Sequence, residues 1–181
     1  MLKINLSTGR RLIVDYDECP ENPRTWCEGS RFIAVECRHG FGADETMPGF
    51  ALDDAAKTAR LFGHVVVPVY AHIHSGVVLS LKPFGDPFDS GRCGYLIFPR
   101  GYSEAQANDI AQSEIEELNA WLFDEVFAVR VEHPDGFEGV TDDSLSGIYA
   151  DDEQSAALYA AEELDLTESE AEEIRAAVKG A

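Results

Sequence analysis

HVVVPVYAHIHSGVVLSLKPFGDPFDSGRCGYLIF, residues 64 to 98, carries the strongest β signal in the chain. Its apolar runs at 64–73, 76–84 and 93–98 are separated by the turn His74-Ser75-Gly76 and by the glycine- and aspartate-rich segment GDPFDSGR. Branched and aromatic side chains suit a pleated, half-buried surface, and short turn-like connections join antiparallel strands. Three sequential antiparallel neighbours are therefore expected, with no crossover helix between them. Pro68 cannot donate to a ladder, which places it at an edge or a bulge.

Toward the N-terminus, LKINL (2–6) and RLIVDY (11–16) flank Ser7-Thr8-Gly9-Arg10 and predict a hairpin. CPENPRTWCEGS reads as a structured loop with Trp26 as its expected anchor into the core. RFIAVECR (31–38) predicts a further strand, and HGFGADETMPGF returns to turn chemistry. Leu52, Ala55, Ala56, Ala59 and Phe62 recur at helical spacing and predict a short helix over 52–62.

From Ser103 the period changes. Ile110, Ala111, Ile115, Leu118 and Leu122 form the apolar stripe of a helix running to about Phe123, with Ser103 as N-cap and Glu104 at the positive helix end. AVRVEH (128–133) predicts a strand, Pro134-Asp135-Gly136 a turn, and 138–147 an acidic connection. Helices are expected at about 152–164 and 168–179, the second opened by the capping box Thr167-Glu168-Ser169-Glu170. Together these elements predict one α+β domain over 1–181. It has a mainly antiparallel sheet, one long central helix and acidic C-terminal helices in an acid-rich section from about 132.

At 181 residues the chain suffices for one well-buried core, and its 45% hydrophobic content excludes disorder. No stretch approaches the ~20 apolar residues that span a bilayer. MLKINLSTGRR lacks the apolar region and cleavage site of a secretory signal, so a soluble protein of the host cytoplasm is expected. Cys19, Cys27, Cys37 and Cys93 match no CxxC ligand pair. Cys37 and Cys93 are expected as buried thiols, and Cys19 and Cys27, flanking PENPRTW, would pair only in an oxidising compartment. Neither GxxxxGK[ST] nor GxGxxG occurs, so no nucleotide cofactor is expected.

Charge is unevenly placed. Of the net −20, Glu132 to Ala181 holds 15 acidic residues against Arg175 and Lys179, a net −13. Such a surface repels nucleic acid and attracts basic partners. Basic residues are scattered, with Arg10-Arg11 the one adjacent pair, which disfavours direct nucleic-acid binding.

PENPRTW, the run YAHIHSGVVLSLKPFGDPFDSGRCGYLIF and the later DSLSGIY resemble an uncharacterised family of small proteins encoded by phages and other mobile elements. Its members show PREW-like, YDHSG-like and PWDSG-like segments in the same order. The likeness spans residues 18 to 149 and departs from the pattern at Ala71-His72-Ile73-His74, where the family has a single acid before the histidine. The resemblance implies a genomic setting and not a reaction; an anti-defence role extends from that setting.

Two groups of residues are candidate sites. Asp142, Asp143, Asp151, Asp152, Glu153, Glu162, Glu163 and Asp165 recur in clusters about ten residues apart. On helices, residues rise by ~1.5 Å each, and duplex DNA carries one phosphate charge per ~1.7 Å of axis. A stripe of carboxylates can therefore imitate DNA. The function expected is a non-enzymatic acidic binding protein that occupies the basic, nucleic-acid-binding surface of a host defence protein, of the anti-CRISPR or antirestriction kind. Solvated acids in a salt-adapted protein are the plain alternative.

The other group is His72, His74, Asp86 and Asp89. Alternate strand residues share a face, so two imidazoles with a nearby carboxylate suit a metal-dependent hydrolase. A hydrogen-bonded turn, with Ser90 and the aspartates bonded to nearby amides, accounts for the same residues. A cysteine hydrolase would pair Cys93 with His39 or His72.

Overall fold

The computed structural model describes residues 1–27, 29–133 and 141–180, and of residues 141 and 142 the backbone alone. In chain order the strands are β1 (Leu2–Asn5), β2 (Arg11–Tyr16), β3 (Arg31–Val35), β4 (Glu45–Met47), β5 (Val65–Ile73), β6 (Val77–Ser80), β7 (Ser90–Phe98), β8 (Val126–Glu132) and β9 (Thr141–Tyr149). The helices are α1 (Gly49–Leu61), α2 (Glu104–Leu122), α3 (Glu153–Glu163) and α4 (Glu168–Lys179). The chain is α+β, as its patterning implies. Its strands lie in two sheets, one in each of two compact units: Met1–Pro20 with Asp124–Ala181, and Glu21–Phe123. The sequence reading drew no such division.

In the first unit the order is β1-β2-β8-β9, every pair antiparallel. The hairpin expected over residues 2–16 forms, and Gly9, at φ 85°, supplies the left-handed residue its turn requires. Leu12, Val14, Val129 and Val131 face α3 and α4 from the sheet. Ala156, Ala157, Ala160 and Ala161 share one side of α3, and their small side chains let the helix lie close to the strands. Asp152 and Thr167 cap α3 and α4 through Ser155 N and Glu170 N.

The connection expected at 138–147 is corrected. Residues 141–149 form β9, paired along β8 with register shifts at Phe127/Val129 and Val131/Glu132. These irregularities and the left-handed Gly147 (φ 69°) break the period of two that would mark a strand in the sequence. The turn Pro134-Asp135-Gly136 lies outside the described residues.

In the second unit the order is β4-β3-β7-β5-β6, antiparallel except for β3 and β4. Alternate residues divide between two helices. Phe32, Ala34, Val67, Val69, Leu96 and Phe98 pack with α2, whereas Ile33, Tyr95, Val66 and Ile97 pack with α1. The sequential order expected for the strands of 64–98 is corrected: β7 pairs with β5, from Val65↔Phe98 to His72↔Ser90, so β5 lies between β6 and β7. The long GDPFDSGR segment carries the chain past β6. Pro68 sits on the part of β5 that β6 does not reach, beside the irregularity at Val69/Tyr70.

Helix α2 begins with the capping box Ser103–Gln106 and ends where its stripe ends. One side chain of α2 serves the sheet directly. Asn119 accepts from Leu79 N at 2.7 Å and donates to Leu79 O at 3.0 Å, closing the backbone of edge strand β6.

Two burial expectations fail. Trp26 is 47% exposed, and the side chains its loop buries are Pro23 and, at 8%, Arg24. Cys37 is exposed because β3 ends at Val35. Among the described residues no helix is long and apolar enough to cross a membrane.

Candidate functional site

The C-terminal acids divide into those that hold the fold and those that face solvent. Asp152 Oδ1 accepts from Ser155 N at 2.7 Å, and that N–H holds the carboxyl below its usual range. Glu153 Oε1 receives the N-terminal amine at 2.5 Å. Asp143 accepts from Ser144 N at 2.8 Å and from Asp165 N at 3.0 Å. Glu170 is fully buried, and Glu173 binds Ser7 through both its backbone N–H and its hydroxyl. By contrast Asp151, Glu162, Glu163 and Asp165 are exposed, and their carboxylates carry no internal partner among the described residues. The side chain of Asp142 lies outside the described residues.

One of the exposed acids, Asp151, has an aromatic neighbour. Asp151, Ser155 and Tyr159 line a concavity of about 490 Å³ together with residues 147–150 at the end of β9. Tyr159 is 49% exposed. A carboxylate beside an accessible aromatic ring is chemistry that accepts an arginine or lysine side chain, by ion pairing and by cation–π attraction.

The structure also brings His72, His74, Asp86 and Asp89 together. His72 Nε2 lies 3.7 Å from Asp86 Oδ2, and His74 Nδ1 lies 3.1 Å from Asp89 Oδ2. The two rings stack side by side, with centroids 6.3 Å apart and planes at 25°. Asp86 serves its own turn as well, accepting from Phe88 N at 2.8 Å, which holds its carboxyl below the usual range. Ser90 Oγ donates to the Asp86 carbonyl. Each imidazole has its own carboxylate, and no group of three or more ligating side chains converges among the described residues.

Cys93 cannot serve as a nucleophile at neutral pH. It is buried on β7, its thiol lies 3.5 Å from the Val69 carbonyl, and burial pushes its pKa up to about 12.

The sequence reading missed the buried charge network of the PENPRTW loop. Asn22 caps the turn Pro23–Thr25, and Arg24 reaches inward from it. Arg24 donates to Asp44 Oδ2 at 2.8 Å, Glu114 Oε2 at 2.9 Å and the Ser30 carbonyl at 2.5 Å. Glu114 also receives Ser30 Oγ and, at 3.0 Å, Cys27 Sγ. The available signal was Glu114 itself, an acid on the stripe side of α2 between Ala111 and Ile115.

Comparison of the chain with protein-family models, with curated proteins and with solved structures returns no match. The functional reading therefore rests on these residues.

Proposed function

We propose that this chain is a non-enzymatic acidic binding protein whose first unit occupies a basic, nucleic-acid-binding surface of a host defence protein. The observation that carries this reading is the separation among the acids. Internal bonds engage Asp143, Asp152, Glu153, Glu170 and Glu173, whereas Asp151, Glu162, Glu163 and Asp165 remain exposed without an internal partner among the described residues, Asp151 in the Tyr159 concavity. The first unit holds 20 acidic residues against six basic ones, a net −14. Charge of that density destabilises a folded chain unless something offsets it, and a basic partner does so.

The test is capture of a partner from host lysate by wild type and by D151N/E162Q/E163Q/D165N, with duplex DNA as competitor. Wild type should retain a nucleic-acid-binding protein that DNA displaces, and retention should fall steeply with salt, since exposed charges are screened within ~10 Å at 0.1 M. Retention of the same protein by the variant, with unchanged salt dependence, would make these acids a solvated face.

A second reading, a metal-dependent hydrolase, is favoured by one observation: the approach of His72 to Asp86 and of His74 to Asp89. Purified protein would then hold about one transition-metal ion per chain, lost in H72A/H74A. Metal analysis of the wild type finding none removes this reading.

A further inference from the structure

The second unit contains a groove of about 710 Å³ between α1 and the β3–β7 part of its sheet. We propose that it binds an amphipathic monocarboxylate, with the apolar body along the groove and the carboxylate at Arg100.

The groove exists because the inward stripe of α1 tapers. Leu52 and Ala56 are buried against Ile33 and Tyr95. One turn on, the small side chains of Ala55, Thr58 and Ala59 form the wall. Met47 and Ile97 are left half-buried on the opposite side, and Phe62, 60% exposed, stands at the rim. A volume of this size lies within the ~300–1,000 Å³ range of small-molecule sites. Leucine-sized residues on α1 would close it.

Charge at the groove selects the ligand. Arg31 is paired with Glu45, so that arginine is neutralised. Arg100 is exposed and has no partner among the described residues. His64 donates through Nδ1 to the Phe98 carbonyl at 3.0 Å, which leaves Nε2 as its uncommitted ring nitrogen. A single free guanidinium beside apolar surface matches one carboxylate, which it binds with two parallel hydrogen bonds. A phosphate dianion would call for a second free cation, and Glu45 occupies Arg31. The low polarity of the remaining lining requires an apolar body.

Titration calorimetry with octanoate, 1-octanol and acetate tests the assignment. Octanoate should bind with a stoichiometry of one, acetate should not bind, and octanol should bind several-fold more weakly. R100Q should weaken octanoate by about tenfold, the loss of one charge-assisted pair. A59F should abolish binding by filling the groove, with A55L as a milder filling should A59F fail to fold; thermal melts of each variant report folding. Absence of octanoate binding, or binding that survives the folded filling variant, overturns the site. Octanoate affinity unchanged in R100Q, or matched by octanol, overturns the carboxylate assignment. The site lies in the second unit and stands apart from the acidic-face reading.

Discussion

Arg10 closes on Glu170, Nε to Oε1 at 2.9 Å, and so fixes the one fully buried carboxylate among the acids of α4. Thr8 Oγ1 adds a hydrogen bond at 2.6 Å, and Thr167 completes the set from the helix cap. The acid-rich helix is thus tied to the β1–β2 turn by two of its acids, Glu170 and Glu173, while Glu168 and Glu172 are exposed.

Replacing that carboxylate, E170Q, should cost roughly 3 kcal/mol, because Arg10 loses its buried counter-charge. The Arg10 guanidinium holds the Glu170 carboxyl far below its ordinary 4.5. A depressed carboxyl stabilises the fold fully above that ordinary value, and the contribution declines as pH falls from there toward the folded value. Urea unfolding should show wild type losing stability below about pH 4.5 more steeply than E170Q.

Arg24 should be more sensitive still. R24M leaves Glu114 buried without its cation and should cost about 3–5 kcal/mol. R24K should rescue little, since an ammonium cannot reach Asp44, Glu114 and the Ser30 carbonyl with one planar fork. Chemical denaturation of both variants measures the difference.

Asn119 should matter through hydrogen bonding alone. N119A strands the N–H and carbonyl of the buried Leu79 and should cost about 2 kcal/mol. N119D can accept from Leu79 N but cannot donate to its carbonyl, so its stability at neutral pH should fall below that of wild type. Denaturation midpoints at constant slope would establish both.

Substitutions of the acids should separate in sign. D152A removes the cap of α3 and should lower stability by about 1 kcal/mol. D151N/E162Q/E163Q/D165N should leave the melting temperature unchanged or raise it by relieving repulsion, and any gain should shrink as salt is added.

The thiols should react in a set order at neutral pH. Exposed Cys19 and Cys37 should label first. Cys27 should follow slowly, because burial and its hydrogen bond to Glu114 raise its pKa. Cys93 should label only on unfolding. Mass spectrometry of a timed alkylation reads this order.

What was legible in the sequence is what is local. The hairpin of residues 2–16, the Ser103 N-cap, the Thr167 capping box and the stripe of α2 each depend on residues within one or two turns of each other. The placement of β7 beside β5 depends on pairing across the sheet, which the intervening turns do not specify. Trp26 misled because aromatic size suggested an anchor, whereas the loop is held by Arg24 and two distant acids. The approach of His72 and His74 to Asp86 and Asp89 was readable because one strand end and one turn contain all four. The structural work of Asp152 had a signal as well, an aspartate three residues before Ser155 at the start of a helical run. The groove beside α1 had none, since its lining comes from separate segments between residues 29 and 100.

The insertion of Glu21–Phe123 within the first unit has a consequence for how a ribosome delivers this protein. The β1–β2 hairpin is made before the inserted unit, and a two-stranded ribbon alone is marginal in water. Its next neighbour, β8, pairs Glu132 with Arg11 and leaves the ribosome only after every residue of the second unit has been made. Vectorial synthesis therefore lets the inserted unit complete itself while the first unit waits, half-built, for its own C-terminal strands and helices. Strand β2, translated before the inserted unit, thus meets its partner β8 only after that unit has been made.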